Sequence, residues 1–475
     1  MRTLIRNAAV ITVNAAHDIF DPGYVSFDGA VITGVGPAAQ EPASSGFDRV
    51  IDARGMVLAP GLVNMHQHLH MNLLKGLADG LLLEPWVFTL STPFRNHVDE
   101  EALRLATTLG ALEMMRTGTT CVLNHQAPFN VPDYREKVIG WMGEAGIRQV
   151  LAVSFQCRTP KLPQHPHSAQ QARELLGAFI GRHHRADDAL TTLAMVIECN
   201  AHHTELGRSS DELVSVGHSL AREKNLRIAV HMSGGTLSMS MGFTKYRRQT
   251  GRSDVEYLER LGVLDELWIL KHGIHFSDGD METVRRRGAS VVYTPTSEAI
   301  RGGGIGPFGR MRRMGINCAL GSDGPAVDYS TDMLEQVRAC CFLQAARYRD
   351  PAAMEDHSAL EMATIDAARA LGLQSRIGSI EPGKQADLVL FDLGAPHQQL
   401  VADPLRRLVW TGRGTDAHSV FVRGEQRVEE GRFTQFHDLD ALVAQAQAKA
   451  RAVVEMAGFA PRAKLAWPAR PAVDA

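Results

Sequence analysis

The sequence predicts an α/β fold, a (β/α)8 barrel in the middle of the chain with a small β domain built from its two ends. Two observations predict the barrel: eight short apolar runs, and longer segments of helical periodicity between them, the pattern of parallel βα units rather than hairpins. A third predicts the satellite, because both ends of the chain read as short β-branched strands broken by tight turns. An open doubly wound sheet has the same texture, and periodicity alone leaves it as the alternative. The chemistry at the strand ends decides between them.

In chain order, Thr3 to Val35 contains TLIRNAAVITVN and YVSFDGAVITGV, hairpin strands broken by Asp-Gly and followed by a Gly-Pro stop. The eight runs follow as MVLAPGLVNMH, GTTCVLNHQ, RQVLAVSFQ, TTLAMVIECN, LRIAVHMS, LWILKHGIH, ASVVYTPTS and INCALGSDG. Helices are predicted between them, among others over Glu100 to Arg116, Ser168 to Arg182, Asp211 to Glu223 and Met281 to Arg287. ADLVLFDL and HSVFVRGEQRVEEGRF return to the hairpin style, with Arg423-Gly424 at the turn. After Phe436, ALVAQAQAKARAVVEM reads as an Ala-rich helix, and the Pro- and Ala-rich tail beyond it is assigned no function.

The 475 residues are 44% apolar and 22% charged, which suits a large buried core and not disorder. A net charge of -3 supplies no positive field for a phosphate backbone, so nucleic acid is excluded as the first partner and a small, weakly charged substrate fits better. Cys121, Cys157, Cys199, Cys318, Cys340 and Cys341 show no C-x-x-C pair and read as reduced, cytoplasmic thiols. The N-terminus lacks the apolar core of a secretion signal. No stretch reaches 18 consecutive apolar residues, which argues against a membrane partner.

In PGLVNMHQHLHMNLLKG, His66 and His68 stand at i and i+2 on a strand and so project to one side. They close the first run, and the C-terminal ends of the strands are where a (β/α)8 barrel carries its chemistry. Alone, H-x-H suits a polar strand end as well as a metal site. Its company sharpens the reading: His231 closes LRIAVHM, His272 closes LWILKH and Asp323 closes INCALGSD. Three histidines and a carboxylate suit a divalent ion, zinc or iron, with an open position for water. Such an ion brings the pKa of bound water to about 7, and a nearby carboxylate such as Asp323 can take the proton. Hydrolysis is the natural consequence.

PGLVNMHQH resembles the first metal motif of the amidohydrolase superfamily. RGMVLAPGLVN, GTT, VVYTPTS, LGSDGPAVD and RIGSIEPGKQADLVLFD resemble its branch of triazine hydrolases, guanine deaminase and adenosylhomocysteine-type deaminases. The resemblance implies a (β/α)8 barrel over 59–372 and a small β-sandwich domain formed by 1–58 and 373–436, with a helix and tail over 437–475. It also implies one divalent ion per chain, zinc first with iron, cobalt or manganese as alternatives, held by His66, His68, His231 and Asp323. His272 would then polarise the substrate or the attacking water. No strand-end lysine offers a clear carbamylated bridge, which favours one metal over two. Homo-oligomers are common in the family.

One departure stands out. Deaminases of this branch carry a glutamate three residues after the third histidine, where this chain reads His231, Met232, Ser233, Gly234. General acid catalysis contributes roughly 10²- to 10⁴-fold, so nucleobase deamination needs a substitute. Glu298, after PTS, is one candidate, although it also reads as a surface residue at a loop start. Ser233, His202, His203 and His275 are others, as substrate-binding or proton-carrying groups. His70 shares a face with His66 and His68 if the strand continues, and reaches for substrate. Asn124 and His125 close the second run without an assigned role, and Gly234 to Gln249 reads as a pocket wall. The leading expectation is a metal-dependent amidohydrolase that uses metal-activated water on a non-peptide C–N bond of a small heterocyclic, ureido or amide compound. A deaminase of a nucleobase- or triazine-like ring, releasing ammonia, is the rival. A non-catalytic relative is a third reading, against which the intact ligand set argues.

Overall fold

The computed structural model describes residues 1–77, 80–128, 130–156, 168–184, 190–199, 209–234, 247, 250–399 and 403–458. Five strands open the chain: β1 (Arg2–Ile11), β2 (Ile19–Asp28), β3 (Val31–Pro37), β4 (Arg49–Asp52) and β5 (Met56–Pro60). Eight more, β6 (Leu62–Gln67), β7 (Thr119–His125), β8 (Arg148–Ser154), β9 (Thr191–Val196), β10 (Ile228–Met232), β11 (Trp268–His272), β12 (Ser290–Tyr293) and β13 (Cys318–Leu320), pair in sequence order into one parallel sheet. With helices between its strands, this sheet curls into a nearly closed barrel, and the doubly wound alternative is set aside. β14 (Leu388–Asp392), β15 (Ala417–Val422), β16 (Glu425–Glu429) and β17 (Arg432–Phe433) join β1 to β5 in a separate sheet.

The first apolar run is a correction. MVLAPGLVNMH is two strands in two sheets: Met56–Pro60 pairs with β14, whereas Leu62–Gln67 opens the barrel. Gly61 makes the handover, its N–H donating to Asp387 O at 2.8 Å while a Cβ there would lie 2.1 Å from Thr120 Oγ1. The same junction holds a bidentate pair, with Arg148 Nε and Nη2 on the two Asp387 oxygens at 3.0 and 3.1 Å, which fixes the start of β8 against the terminal sheet. Arg423 and Gly424 both adopt positive φ, 53° and 74°, as a two-residue β15–β16 turn of the type that matches strand twist requires.

The helices lie where the periodicity puts them, at Glu100–Arg116, Ala169–His183, Asp211–Lys224 and Asp278–Arg287. Asp99, Ser168, Ser210 and Ser277 cap their first turns by accepting backbone N–H groups. Their apolar faces pack on the outside of the barrel, while a separate small-residue cluster, including Val63, Cys121, Ala152, Ala194, Ala229 and Ala319, fills its lumen. The helix Leu439–Met456 fits the expected Ala-rich segment; the tail lies outside the described residues.

The barrel closes where its first and eighth strands meet. Asp323 N–H donates to His66 O at 2.9 Å, and Gly321 approaches so closely that a Cβ would lie 2.6 Å from His66 N. Gly321→Ala is therefore expected to cost about 1–3 kcal/mol by overpacking and to displace His66, read as a lower Tm together with lost metal content.

Candidate active site

Period-two alternation builds the site. Leu123, Ala152, Val196, Ala229, Ile269 and Val292 point into the lumen, and two residues further on stand His125, Ser154, Glu198, His231, Lys271 and Thr294. The lumen thus turns from apolar to polar in one layer at the C-terminal ends of the strands. The β6–β7 ladder slips between Asn64 and Gln67, and His66, inside the slip, and His68, just past it, come together with ring centroids 4.7 Å apart. His272 ends its strand, and Ser233 and Asp323 follow theirs, at positive φ, 79°, 49° and 68°. Such backbone costs non-glycine residues about 1–3 kcal/mol each and clusters at functional sites. At His272 it lets consecutive residues, Lys271 and His272, both serve the site.

Ligand atoms of His66, His68 and His231 lie within 4.8 Å of one another, and those of His66, His272 and Asp323 do likewise, so that His66 joins two groups of side chains facing the same lumen. His68 Nε2 and His231 Nε2 lie 3.3 Å apart, and Asp323 Oδ1 lies 3.1 Å from His66 Nε2 and 3.7 Å from His68 Nε2. Ligands about 2.0–2.1 Å from a tetrahedral centre stand roughly 3.3–3.4 Å from one another, so this spacing fits a zinc-sized ion. Hydrogen bonding fixes which nitrogens face it: His68 Nδ1 meets His125 O at 2.8 Å and His231 Nδ1 meets Glu198 Oε1 at 2.5 Å. Both acceptors require a proton on Nδ1, which leaves lone pairs on the two facing Nε2 atoms. Burial, reinforced by Lys271, holds His66 and His231 well below the usual imidazole range. Burial likewise lowers His68 to about 4. These rings are neutral at pH 7, the form that binds a metal. The His66 nitrogens are buried without a well-formed hydrogen bond, a further sign that the donor set fits an ion.

A second layer braces this set. Asp323 Oδ2 accepts from Ser297 Oγ at 2.9 Å and Arg301 Nη2 at 3.2 Å, turning Oδ1 toward the histidines. Burial works to raise the Asp323 carboxyl, but His66, Arg301 and His272 outweigh it and hold it well below the carboxylate range. Glu298 Oε1 lies 2.8 Å from both His272 Nδ1 and Arg301 Nη2. Burial raises Glu298 too, and Arg301 and His272 again prevail, so it stays ionised. The surface reading of Glu298 is corrected, since the residue is 0% exposed. Its geometry is that of an acceptor holding His272 rather than a proton-donating acid.

The remaining expectations divide. Ser233 is turned away, its N–H and Oγ meeting Asp254 Oδ2 at 3.0 and 3.4 Å. His70 leaves the strand: β6 ends at Gln67, and His70 lies buried in a 3-10 turn with its ring 6.0 Å from that of His68. His275 follows β11 half-buried, its N–H on Ser233 O at 3.1 Å. His202, His203 and most of Gly234 to Gln249 lie outside the described residues. At Gly234 a Cβ would stand 3.0 Å from Cβ and Cγ of His272, so a side chain at this position would press on that ring.

Three residues escaped the sequence reading. Glu198 precedes a histidine pair that carries the stronger local signal, Arg301 has no local motif, and Lys271 sits inside an apolar run. Lys271 is 0% exposed and crosses from the sixth barrel strand to His125 on the second, Nζ to Nδ1 3.2 Å. Burial lowers it to about 8, against the pull of Glu198 and Asp323. Counting two residues on from Ile269 and Val196 would have placed Lys271 and Glu198 in the polar layer.

A barrel with His, His, His and Asp at its strand ends defines a metal-dependent hydrolase of the amidohydrolase type. The Amidohydrolase family model matches residues 57–427, and the chain belongs to that family. It is 31% identical over 426 residues to the 5-methylthioadenosine/S-adenosylhomocysteine deaminase of Acetivibrio thermocellus, covering 89% of this chain and 93% of that one. The Thermoanaerobacter pseudethanolicus protein of the same name is 29% identical over 96% of this chain and 100% of its own. Among solved structures, an adenosine deaminase from Xanthomonas campestris with bound zinc superposes with a TM-score of 0.85 at 26% identity, over 96% of this chain and 99% of that one. The zinc complex of atrazine chlorohydrolase from Arthrobacter aurescens TC1 shares the fold, with a TM-score of 0.83 at 21% identity over 95% and 100% of the two chains. The chain is accordingly an enzyme acting on C–N bonds other than peptide bonds.

Carboxylates behind ligand histidines set their orientation and basicity. Glu198→Gln is expected to weaken binding of zinc added to the metal-free protein by about 10- to 100-fold, measured by competition with a chromophoric chelator. Unchanged affinity would contradict the bracing role.

Proposed function

We propose that the protein holds one zinc ion through His66, His68, His231 and Asp323 and hydrolyses a C–N bond at an sp² carbon of a small heterocyclic, ureido or amide compound. The observation that carries this reading is the His272–Glu298 contact of 2.8 Å beside the converged ligand set. When bound, the ion acidifies water to a pKa of about 7 and withdraws electrons from the substrate. Asp323, held ionised by Arg301 and Ser297, takes the proton of the attacking water. His272 presents its Nε2 lone pair, because Glu298 fixes the proton on Nδ1, and Glu298 stabilises the imidazolium as the ring takes over from Asp323 the proton that left the water. The ring then returns that proton to the leaving nitrogen, work for which position 234 has no side chain. Substrates whose leaving nitrogen needs little protonation suit this arrangement best.

Deamination of a purine-type ring is the second reading, favoured by the similarity to deaminases over most of the chain. We also infer a cytoplasmic protein with reduced thiols: burial pushes Cys121 and Cys318 up to about 12, which suits inert cysteines. No described helix is long and apolar enough to cross a membrane. A homo-oligomer is part of the same reading, with the exposed pair Phe342 and Trp410, ring centroids 5.5 Å apart, as apolar surface that a second copy would cover.

The test is elemental analysis joined to a product screen over purines, pyrimidines, triazines, hydantoins, ureas and carbamates. About one zinc per chain with amine or ring-opened product supports the leading reading; ammonia from a ring supports the second; no metal and no turnover contradict both. On any substrate found, Glu298→Gln is expected to lower kcat about 10²-fold or more at unchanged zinc content, and a loss of zinc instead would contradict the brace assigned to it.

A further inference from the structure

Three of the histidines around the site are fixed alike. His68, His231 and His272 each direct Nδ1 at an oxygen acceptor, the carbonyl of His125 or the carboxylates of Glu198 and Glu298, so each offers an Nε2 lone pair. His125 stands among them with the opposite partner. Its Nδ1 lies 3.2 Å from Lys271 Nζ, and an ammonium has donors only. The bond therefore makes His125 Nδ1 an acceptor and leaves the ring proton on Nε2. No described group bonds that nitrogen.

The placement is specific. His125 lies against two of the proposed ligands, with ring centroids 4.9 Å from His68 and 5.4 Å from His231. It stands on the second barrel strand, across the lumen from His272 on the sixth, so the two rings flank the converged ligand set from opposite sides. Lys271 reaches His125 by spanning the lumen from that sixth strand, the residue before His272. A buried lysine spanning a barrel serves little purpose for stability, since an apolar residue would fill the same lumen without the cost of desolvating an ammonium. What it supplies is a donor at one nitrogen.

We propose that Lys271 is a positioning residue that holds His125 as the Nε2–H tautomer, and that His125 donates this hydrogen bond to the substrate. The group it recognises is an acceptor atom, a ring nitrogen or carbonyl oxygen, beside the carbon that water attacks. His125 keeps its proton throughout; the bond strengthens as negative charge develops on that atom. This rests on the hydrolytic reading above and deepens it: His272 handles the proton, and His125 the developing charge.

The experiment is long-range ¹H–¹⁵N correlation on the zinc-loaded protein labelled at histidine ring nitrogens, with His125 assigned by loss of its signals in His125→Gln. His125 is expected to be the Nε2–H tautomer in the wild type. In Lys271→Met it is expected to move toward Nδ1–H, because Glu198 Oε1, 4.0 Å from Nδ1, becomes the nearest partner. An Nδ1–H ring in the wild type, or an unchanged tautomer in Lys271→Met at equal zinc content and Tm, overturns the pairing. On a substrate from the screen, His125→Leu is expected to lower kcat by about 10²- to 10³-fold, with part of the loss recovered in His125→Gln, whose amide can donate from a similar place. Equal losses in the two variants overturn donation to substrate. A screen without turnover would count against the hydrolytic reading, and the tautomer would still decide the pairing.

Discussion

Strand alternation at the top of the barrel is the constraint on which the rest depends. Each strand spends its inward positions on small apolar residues until its last turn of the pleat, and then places one polar side chain over the lumen. Packing below and chemistry above are thus set by the same register, and a one-residue slip in any strand would exchange a ligand for a helix-facing side chain. The β6 irregularity and the left-handed residues His272 and Asp323 are local departures from that alternation. Each brings a group to the centre that the regular pleat would turn away.

Charge explains why these groups can be buried together. Glu198, Glu298 and Asp323 converge with Lys271 and Arg301, so the histidines sit in a field that favours a cation at their centre. Arg301 bridges two of the carboxylates and sets both to face inward, Asp323 toward the ligand nitrogens and Glu298 toward His272. The same hydrogen bonds dictate the tautomer of each ring, which is how one kind of side chain provides ligands, a proton carrier and a donor within a few ångströms.

Much of this was legible in the sequence. Seven of the eight runs, the capped helices and the Arg423-Gly424 turn are local signals with one outcome each, and His66, His68, His231, His272 and Asp323 announce themselves by closing apolar runs. What was not legible depends on distance along the chain. Glu298 reads as a loop residue until Arg301 and His272 fold around it. Lys271 reads as an interruption in a strand until His125, 146 residues earlier, is seen opposite. MVLAPGLVNMH reads as one strand because composition does not register that Gly61 changes sheets. The missing glutamate is legible as an absence, whereas the closeness of the His272 ring to position 234 exists only in the fold.

The most direct test of this account is a crystal structure of the zinc-loaded protein with anomalous diffraction at the zinc edge. One peak per chain is expected, about 2.0–2.2 Å from the Nε2 atoms of His66, His68 and His231 and from an Asp323 oxygen. A peak between His125 and Glu198 instead, or none at the convergence of the three histidines, would contradict it.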